Sequence, residues 1–212
     1  MEASARTLEG IRVLDLSRVL AGPSAAQTLA DLGAEVIKVE RPAVGDDTRL
    51  MGPHFPESPS ELVNRSAYFW AANRGKRSVV IDLASAEGAD LVRGLAAKAD
   101  VLIENFKVGT LDRYGLGWKD LAAINPGLVY CSITGFGRDG PEADKGGFDL
   151  VAQGFAGLMA ITGEAGRPRC LGRGRADRYG RVGTLPHRVT RREERPGAWG
   201  CRASRQAAGT EP

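Results

Sequence analysis

The sequence predicts an α/β fold of doubly wound, Rossmann-like type, a truncated parallel sheet covered by helices, and three observations carry that prediction. Short apolar runs recur along the first three quarters of the chain. Segments of helical periodicity separate them. The first two runs lie so close together that only one short helix fits between them, which makes a βαβ unit and calls for parallel strands.

Taken in order, residues 11–16 (Ile-Arg-Val-Leu-Asp-Leu) read as the first strand. A loop over 17–22 follows, and a helix with Pro23 in its first turn stops at Gly33. Residues 35–40 are the second strand. Residues 42–67 are proline-rich and lack periodicity, so we expect an irregular excursion there, with regular structure resuming at Ser78. Residues 78–83 form a strand, Ser85 caps the next helix, and Leu91, Val92 and Leu95 give that helix its apolar stripe. Strands over 100–104 and 128–133 follow, with short helical stretches at 111–114 and 119–124 between them. A glycine-rich loop, 135–147, leads into a single helix over 148–160.

Composition excludes several classes. No run of about 18 apolar residues occurs, and the first residues lack the apolar stretch of a signal peptide, so we expect a cytoplasmic protein without a membrane span. The three cysteines have no C-x-x-C spacing, which argues against a zinc site and a disulfide framework, and no metal is expected. Charge is divided unevenly. Residues 1–165 hold 17 Lys+Arg against 22 Asp+Glu, whereas 166–212 hold 12 arginines against 4 acids and only four Val, Ile, Leu, Met or Phe residues. Such a tail cannot build a core, so we expect 166–212 to be a disordered Arg/Gly-rich tail or the product of a shifted reading frame. Its arginines would attract nucleic acid non-specifically, but one Trp and one Tyr at irregular spacing do not make a stacking surface, so specific nucleic-acid binding is not expected.

In an open parallel sheet the ligand sits beyond the carboxyl ends of the strands, so the residues that follow each strand are the informative ones. Here they include Arg18 to Pro23, Glu40-Arg41, Asn105-Phe106 and Arg113, with Asn73 to Ser78 ahead of the third strand. Cations and backbone N–H groups near a helix start suit a phosphorylated ligand. Singly each has an ordinary explanation: Gly22-Pro23 a turn, Arg41 and Arg77 solvated charges, Asn105-Phe106 a strand cap. The first loop lacks G-x-G-x-x-G, which argues against a dinucleotide site, although Glu40 stands where a ribose-binding acid would be expected. His54 and His187 are the only histidines, and neither is placed for a Ser–His–Asp arrangement.

The segments LEGIRVLDLSRVLAGPSAAQTLADLGAEVIKVERPAVGDDTR, NRGKRSVVIDL, ADVLIENFKVGTLDRYGLGW, INPGLVYCSITGFGRDGP and GGFDLVAQGFAGLMAITG, in this order, resemble the class III CoA-transferases, the group that includes formyl-CoA transferase, carnitine CoA-transferase and α-methylacyl-CoA racemase. The resemblance implies that residues 8–165 are the N-terminal part of the large CoA-transferase domain. It implies coenzyme A against the backbone of Val19, Leu20 and Ala21, with Arg41, Lys76 and Arg113 near the phosphates and adenine, Asn105 and Phe106 lining the same groove, and Lys145 reaching a phosphate. Family members that prefer formyl-CoA carry glutamine where this chain has Leu20, and the racemases carry a histidine base in the segment of Phe148. Neither substrate is therefore expected.

The resemblance further implies an aspartyl nucleophile. Counting on from Gln153 reaches Arg178, and the nearest acid is Asp177, which is carried forward as the catalytic candidate; a solvated aspartate among arginines is its alternative. Acyl-CoA and a carboxylic acid are the implied substrates, no cofactor is held tightly, and the family's interlocked homodimer is the implied assembly. Because the resemblance stops near Arg169, we expect a chain that is inactive as written, leaving an inactive CoA-binding remnant and a tail-driven nucleic-acid-associating protein as alternatives.

Overall fold

The computed structural model describes residues 6–53 and 66–162. Five strands, β1 (Arg12–Asp15), β2 (Glu35–Glu40), β3 (Arg77–Val80), β4 (Val101–Glu104) and β5 (Val129–Ser132), form one sheet in the order β3-β2-β1-β4-β5. All four pairings are parallel, as the βαβ argument requires. The order reverses between β1 and β4. In sheets of this kind that reversal is the topological switch point, beside which ligands bind.

Helices α1 (Ala21–Asp31) and α3 (Ala86–Ala96) are the long crossovers, with the shorter α2 (Ala67–Asn73), α4 (Trp118–Ile124), α5 (Asp149–Phe155) and α6 (Leu158–Ile161). Side chains alternate across each strand, so neighbouring residues face opposite layers. Val13, Val36 and Ile103 pack with Ala25, Ala26 and Leu29 of α1 on one face. Leu14, Val39 and Leu102 pack with Val92 and Ala96 of α3 and Leu121 of α4 on the other. Burying one such aliphatic side chain contributes roughly 1.5–3 kcal/mol. The two faces together make the strands the middle layer of three.

The local signals behave as their chemistry dictates. Gly33 closes α1 at φ 107°, a backbone region costly for any residue with a Cβ, and its N–H reaches the Ala30 carbonyl at 2.9 Å. The Ser85 hydroxyl caps α3 by accepting from the Gly88 N–H at 2.9 Å.

Three expectations need correction. Regular structure resumes before Ser78, because α2 is nucleated by Ser66, whose hydroxyl accepts from the Phe69 N–H, and a 3-10 turn at Asp47–Leu50 is capped in the same way by Asp46. The third strand runs Arg77–Val80 rather than to Leu83, since β2 ends at Glu40 and offers no further partner once the Ile81 N–H has bonded the Glu40 carbonyl. The helix expected over 148–160 is two helices, because Gly157 at φ 76° ends the first in a left-handed turn.

Candidate functional site

A cleft of about 340 Å³ opens at the carboxyl ends of β1 and β2 and beside the segment that follows β3. Its walls include Ser17 and Arg18 after β1, Arg41 after β2, and Phe106, Thr110 and Tyr114 after β4. The cleft thus lies at the carboxyl edge of the sheet, where ligands bind in such folds, and reaches toward the β1–β4 reversal through the residues that follow β4.

The Arg18 guanidinium lies over the Phe106 ring, 4.6 Å from its centroid, a cation–π arrangement that holds the charge while leaving its edge toward the cleft. Half-burial lowers the Arg18 pKa, and the neighbouring Arg41 guanidinium lowers it further. Two like charges at one cleft repel each other until an anion enters between them. Arg41 is oriented from outside by Asp47, and its Nε donates to the Gly45 carbonyl at 3.1 Å. The eleven-residue α1 begins at Ala21, three residues after the cleft-lining Arg18.

The loop between β1 and α1 is fixed from below. Asn105 takes the Arg18 N–H on its side-chain oxygen at 2.8 Å and donates from its amide to the Arg18 carbonyl at 2.7 Å, so both backbone groups of one residue are held by one side chain. Beneath the loop lies a buried network of two ammonium and two carboxylate groups. Lys76 donates to Asp15 at 2.8 Å, to the Pro23 carbonyl at 2.8 Å and to Asn73 at 2.9 Å; Lys38 meets Asp46 at 2.9 Å and the Ser17 carbonyl at 2.8 Å. Burial drives the Asp15 carboxyl up, but the charges of Lys76 and Lys38 and the bonds from Lys76 and Ser17 outweigh it and hold it below its usual value.

The geometry sorts the expected residues. Arg41 and Phe106 line the cleft, and Asn105 shapes it through the backbone of Arg18. Val19, Leu20 and Ala21 form the entry to α1 beside it. Lys76 does not reach it: its three protons are spent on three buried acceptors, and its side chain is 2% exposed. Arg113 is exposed next to the lining residue Tyr114, and Lys145 is exposed on the glycine-rich loop, paired with Glu142. Asp177 lies outside the described residues, as do His54 and His187. Glu40 is not a ribose-binding acid here. Burial would raise its pKa, yet Arg49 at 2.6 and 2.7 Å, Ser78 at 2.6 Å and the Asp46 N–H at 2.9 Å lower it to about 2 and occupy both its oxygens.

The glycine-rich loop is pinched at its stem. A Cβ on Gly135 would meet the Gly147 Cα at 2.4 Å, and one on Gly147 would meet the Gly135 Cα at 2.3 Å, so the two strands of the stem touch backbone to backbone. Arg138 ties the loop to the sheet by donating to Ser132 at 3.1 Å and by lying 3.6 Å from buried Glu104. Burial raises the Glu104 pKa against the opposing bonds from Ser132 and the Phe106 N–H and the charge of Arg138. The fold thus favours the protonated acid, and its contribution is full below the unfolded pKa and lost as pH rises through the folded one. Glu104→Gln, neutral at every pH, is therefore expected to gain thermal stability relative to wild type on going from pH 4 to pH 7. Melting curves with an equal difference at both pH values would contradict the burial argument.

Among the described residues no cluster of His, Cys, Asp or Glu could hold a metal, and no helix is long and apolar enough to cross a membrane.

Comparison with known proteins decides the family. Residues 8–179 match the model of CoA-transferase family III. The chain belongs to that family. It is 56% identical over 171 residues to a succinate–glutarate CoA-transferase of Agrobacterium fabrum and 48% identical over 164 residues to a human succinyl-CoA:glutarate CoA-transferase. These matches cover 80% and 77% of this chain but 43% and 36% of the relatives, so the chain spans less than half the length of the curated family members it matches. Among solved structures, a CAIB/BAIF family protein of Brucella suis superposes with a TM-score of 0.78 at 48% identity, covering 87% of this chain and 49% of that one. A hypothetical protein of Mycobacterium tuberculosis gives 0.78 at 37% identity, covering 88% and 50%. The family match extends past Arg169 and includes Asp177.

Sequence reasoning overlooked Lys38 and Asp46. A signal was present, since a lysine inside an apolar strand of a parallel sheet has to be paired.

Proposed function

We propose that the cleft binds the nucleotide end of a CoA thioester and that the protein transfers CoA between dicarboxylic acids of the succinate and glutarate size. The observation that carries the reading is the pair of guanidiniums, Arg18 and Arg41, at one cleft beside the Phe106 ring. Phosphates satisfy such charges through charge-assisted hydrogen bonds, and an adenine can stack where an aromatic ring and a guanidinium already lie. The dicarboxylate class rests on the names of the relatives.

In this reading Asp177 is the nucleophile, and the chain is active rather than inactive as expected from the sequence, a revision supported by the family match running through Asp177. Its carboxylate attacks the donor thioester carbonyl, the C–S bond breaks, and a mixed anhydride and CoA thiolate result. The thiolate then attacks the aspartyl carbonyl of the anhydride, releasing the donor acid and leaving an enzyme thioester. The acceptor carboxylate repeats these steps in reverse. Dividing the transfer in this way replaces one difficult step by easier ones while CoA stays bound. The 135–147 loop keeps water from the intermediates, and a second chain completes the assembly as an interlocked homodimer. Water-soluble acids and thioesters as substrates suit a cytoplasmic setting.

Calorimetric titration with CoA, beside an assay with succinyl-CoA and glutarate, tests the proposal. Binding with turnover that Asp177→Ala abolishes, while binding persists, is the expected result. Binding without turnover would reduce the chain to CoA capture, and absence of binding would remove the cleft assignment.

A further inference from the structure

Val19 holds a backbone conformation that valine resists. Its φ is 68°, in the left-handed region, where a β-branched residue is a genuine outlier that the surroundings must enforce. The enforcing contacts converge on one side chain. The Val19 N–H points at the buried Asp46 carboxylate, 3.3 Å from each oxygen. Asp46 is held in turn by the Lys38 ammonium at 2.9 Å and by the N–H and hydroxyl of Thr48 at 2.9 and 2.7 Å. The same ammonium donates to the Ser17 carbonyl at 2.8 Å, two residues before Val19, and lies 3.9 Å from Asp15, which takes the Ser17 N–H at 3.0 Å. Lys38 therefore holds the Ser17 carbonyl directly and the Val19 N–H through Asp46, both on the amino side of the strained residue, and it does so from the wall of the cleft, with 1% of its side chain exposed.

We infer that Lys38 is a positioning residue, which holds the Ser17 to Val19 backbone in its strained turn and so aims the Arg18 guanidinium into the cleft. Although Lys38 lines the cleft, its ammonium is engaged by Asp46 and the Ser17 carbonyl, so its role runs through the turn. The inference rests on the reading of the cleft as a CoA site, but the turn can be followed without CoA.

Two measurements test it on the full chain. In amide hydrogen exchange without ligand, Lys38→Met is expected to lose protection in the segment 17–21 while β4 and β5 keep theirs; unchanged protection of that segment would overturn the role. In calorimetry, Lys38→Met is expected to weaken CoA about tenfold, since strain of this size is no longer opposed. Adding Val19→Gly should restore affinity to within about threefold, because glycine adopts positive φ at little cost. A general packing defect would not be rescued in this way, so failure of the rescue counts against the inference. Should Lys38→Met not fold, Asp46→Asn, isosteric but uncharged, carries the same two expectations. If wild type does not bind CoA, the cleft reading fails and the exchange experiment alone decides the role of Lys38.

Discussion

Replacing Lys76 by methionine is expected to lower stability by about 3–5 kcal/mol, the usual cost of leaving one partner of a buried ion pair uncompensated. Asp15 is fully buried, and without its 2.8 Å partner it keeps only the Ser17 hydrogen bonds and Lys38 at 3.9 Å. The exposed pair Arg74–Asp31 is the control: Arg74→Ala should cost under about 1 kcal/mol, because solvent screens its charges. Urea denaturation of the three proteins at pH 7 reads both values. The difference between wild type and Lys76→Met should shrink in acid. The Asp15 carboxyl is held low in the fold, so its contribution is present above the unfolded pKa and lost as pH falls through the folded one. Comparable small losses in both variants would mean that the buried network is solvated in solution.

Truncating Arg18 and Arg41 together to alanine is expected to weaken CoA binding at least about 100-fold. Each charge-assisted contact to a phosphate contributes about 1.5–3 kcal/mol, and about 2.8 kcal/mol corresponds to that factor. Affinity of the wild type should fall with added salt, and the double variant should lose most of that dependence. Arg12→Ala, at the amino end of β1 beside Glu35, serves as the control for net charge and should leave affinity within about twofold. Equal affinities of the double variant and wild type would exclude this cleft as the phosphate site. Lys76 is unsuitable for the experiment, since its loss acts through the fold.

The sequence made the sheet legible because strands buried in its middle have to be continuous apolar runs, and 11–16, 35–40, 100–104 and 128–133 each contain an observed strand. It was less informative at the rim. β3 lies at an edge, with Val80 64% exposed, so hydropathy alone cannot say where pairing with β2 stops. The short α2 depends on its Ser66 cap and on packing against the rest of the domain, which outweigh the polar, proline-rich sequence that precedes it. For the cleft, Arg41 and Phe106 could be foreseen from their places after strands. The inward turn of Lys76 could not, because a lysine after a glycine looks the same in sequence whether its ammonium meets solvent or Asp15. The saturation of Glu40 was hidden in the same way, because its partners Arg49 and Ser78 follow it by 9 and 38 residues.

The β3-β2-β1-β4-β5 order also bears on how the chain comes to be folded. β1 pairs with β2 across 23 residues, Val13 against Val36, but with β4 across 88, Val13 against Val101. By the logarithmic dependence of closure entropy on length, the second pairing costs about 1.2 kcal/mol more than the first before any contact rewards it. On the ribosome, at about 5–20 residues per second, the amino-terminal βαβ unit waits seconds for its central neighbour. During that interval the edge of β1 is unpaired, and Asn105 has not yet emerged to clamp Arg18. The ligand cleft is thus a late product of folding, finished when a distant strand arrives, and chaperone demand should concentrate on the nascent chain between those two events.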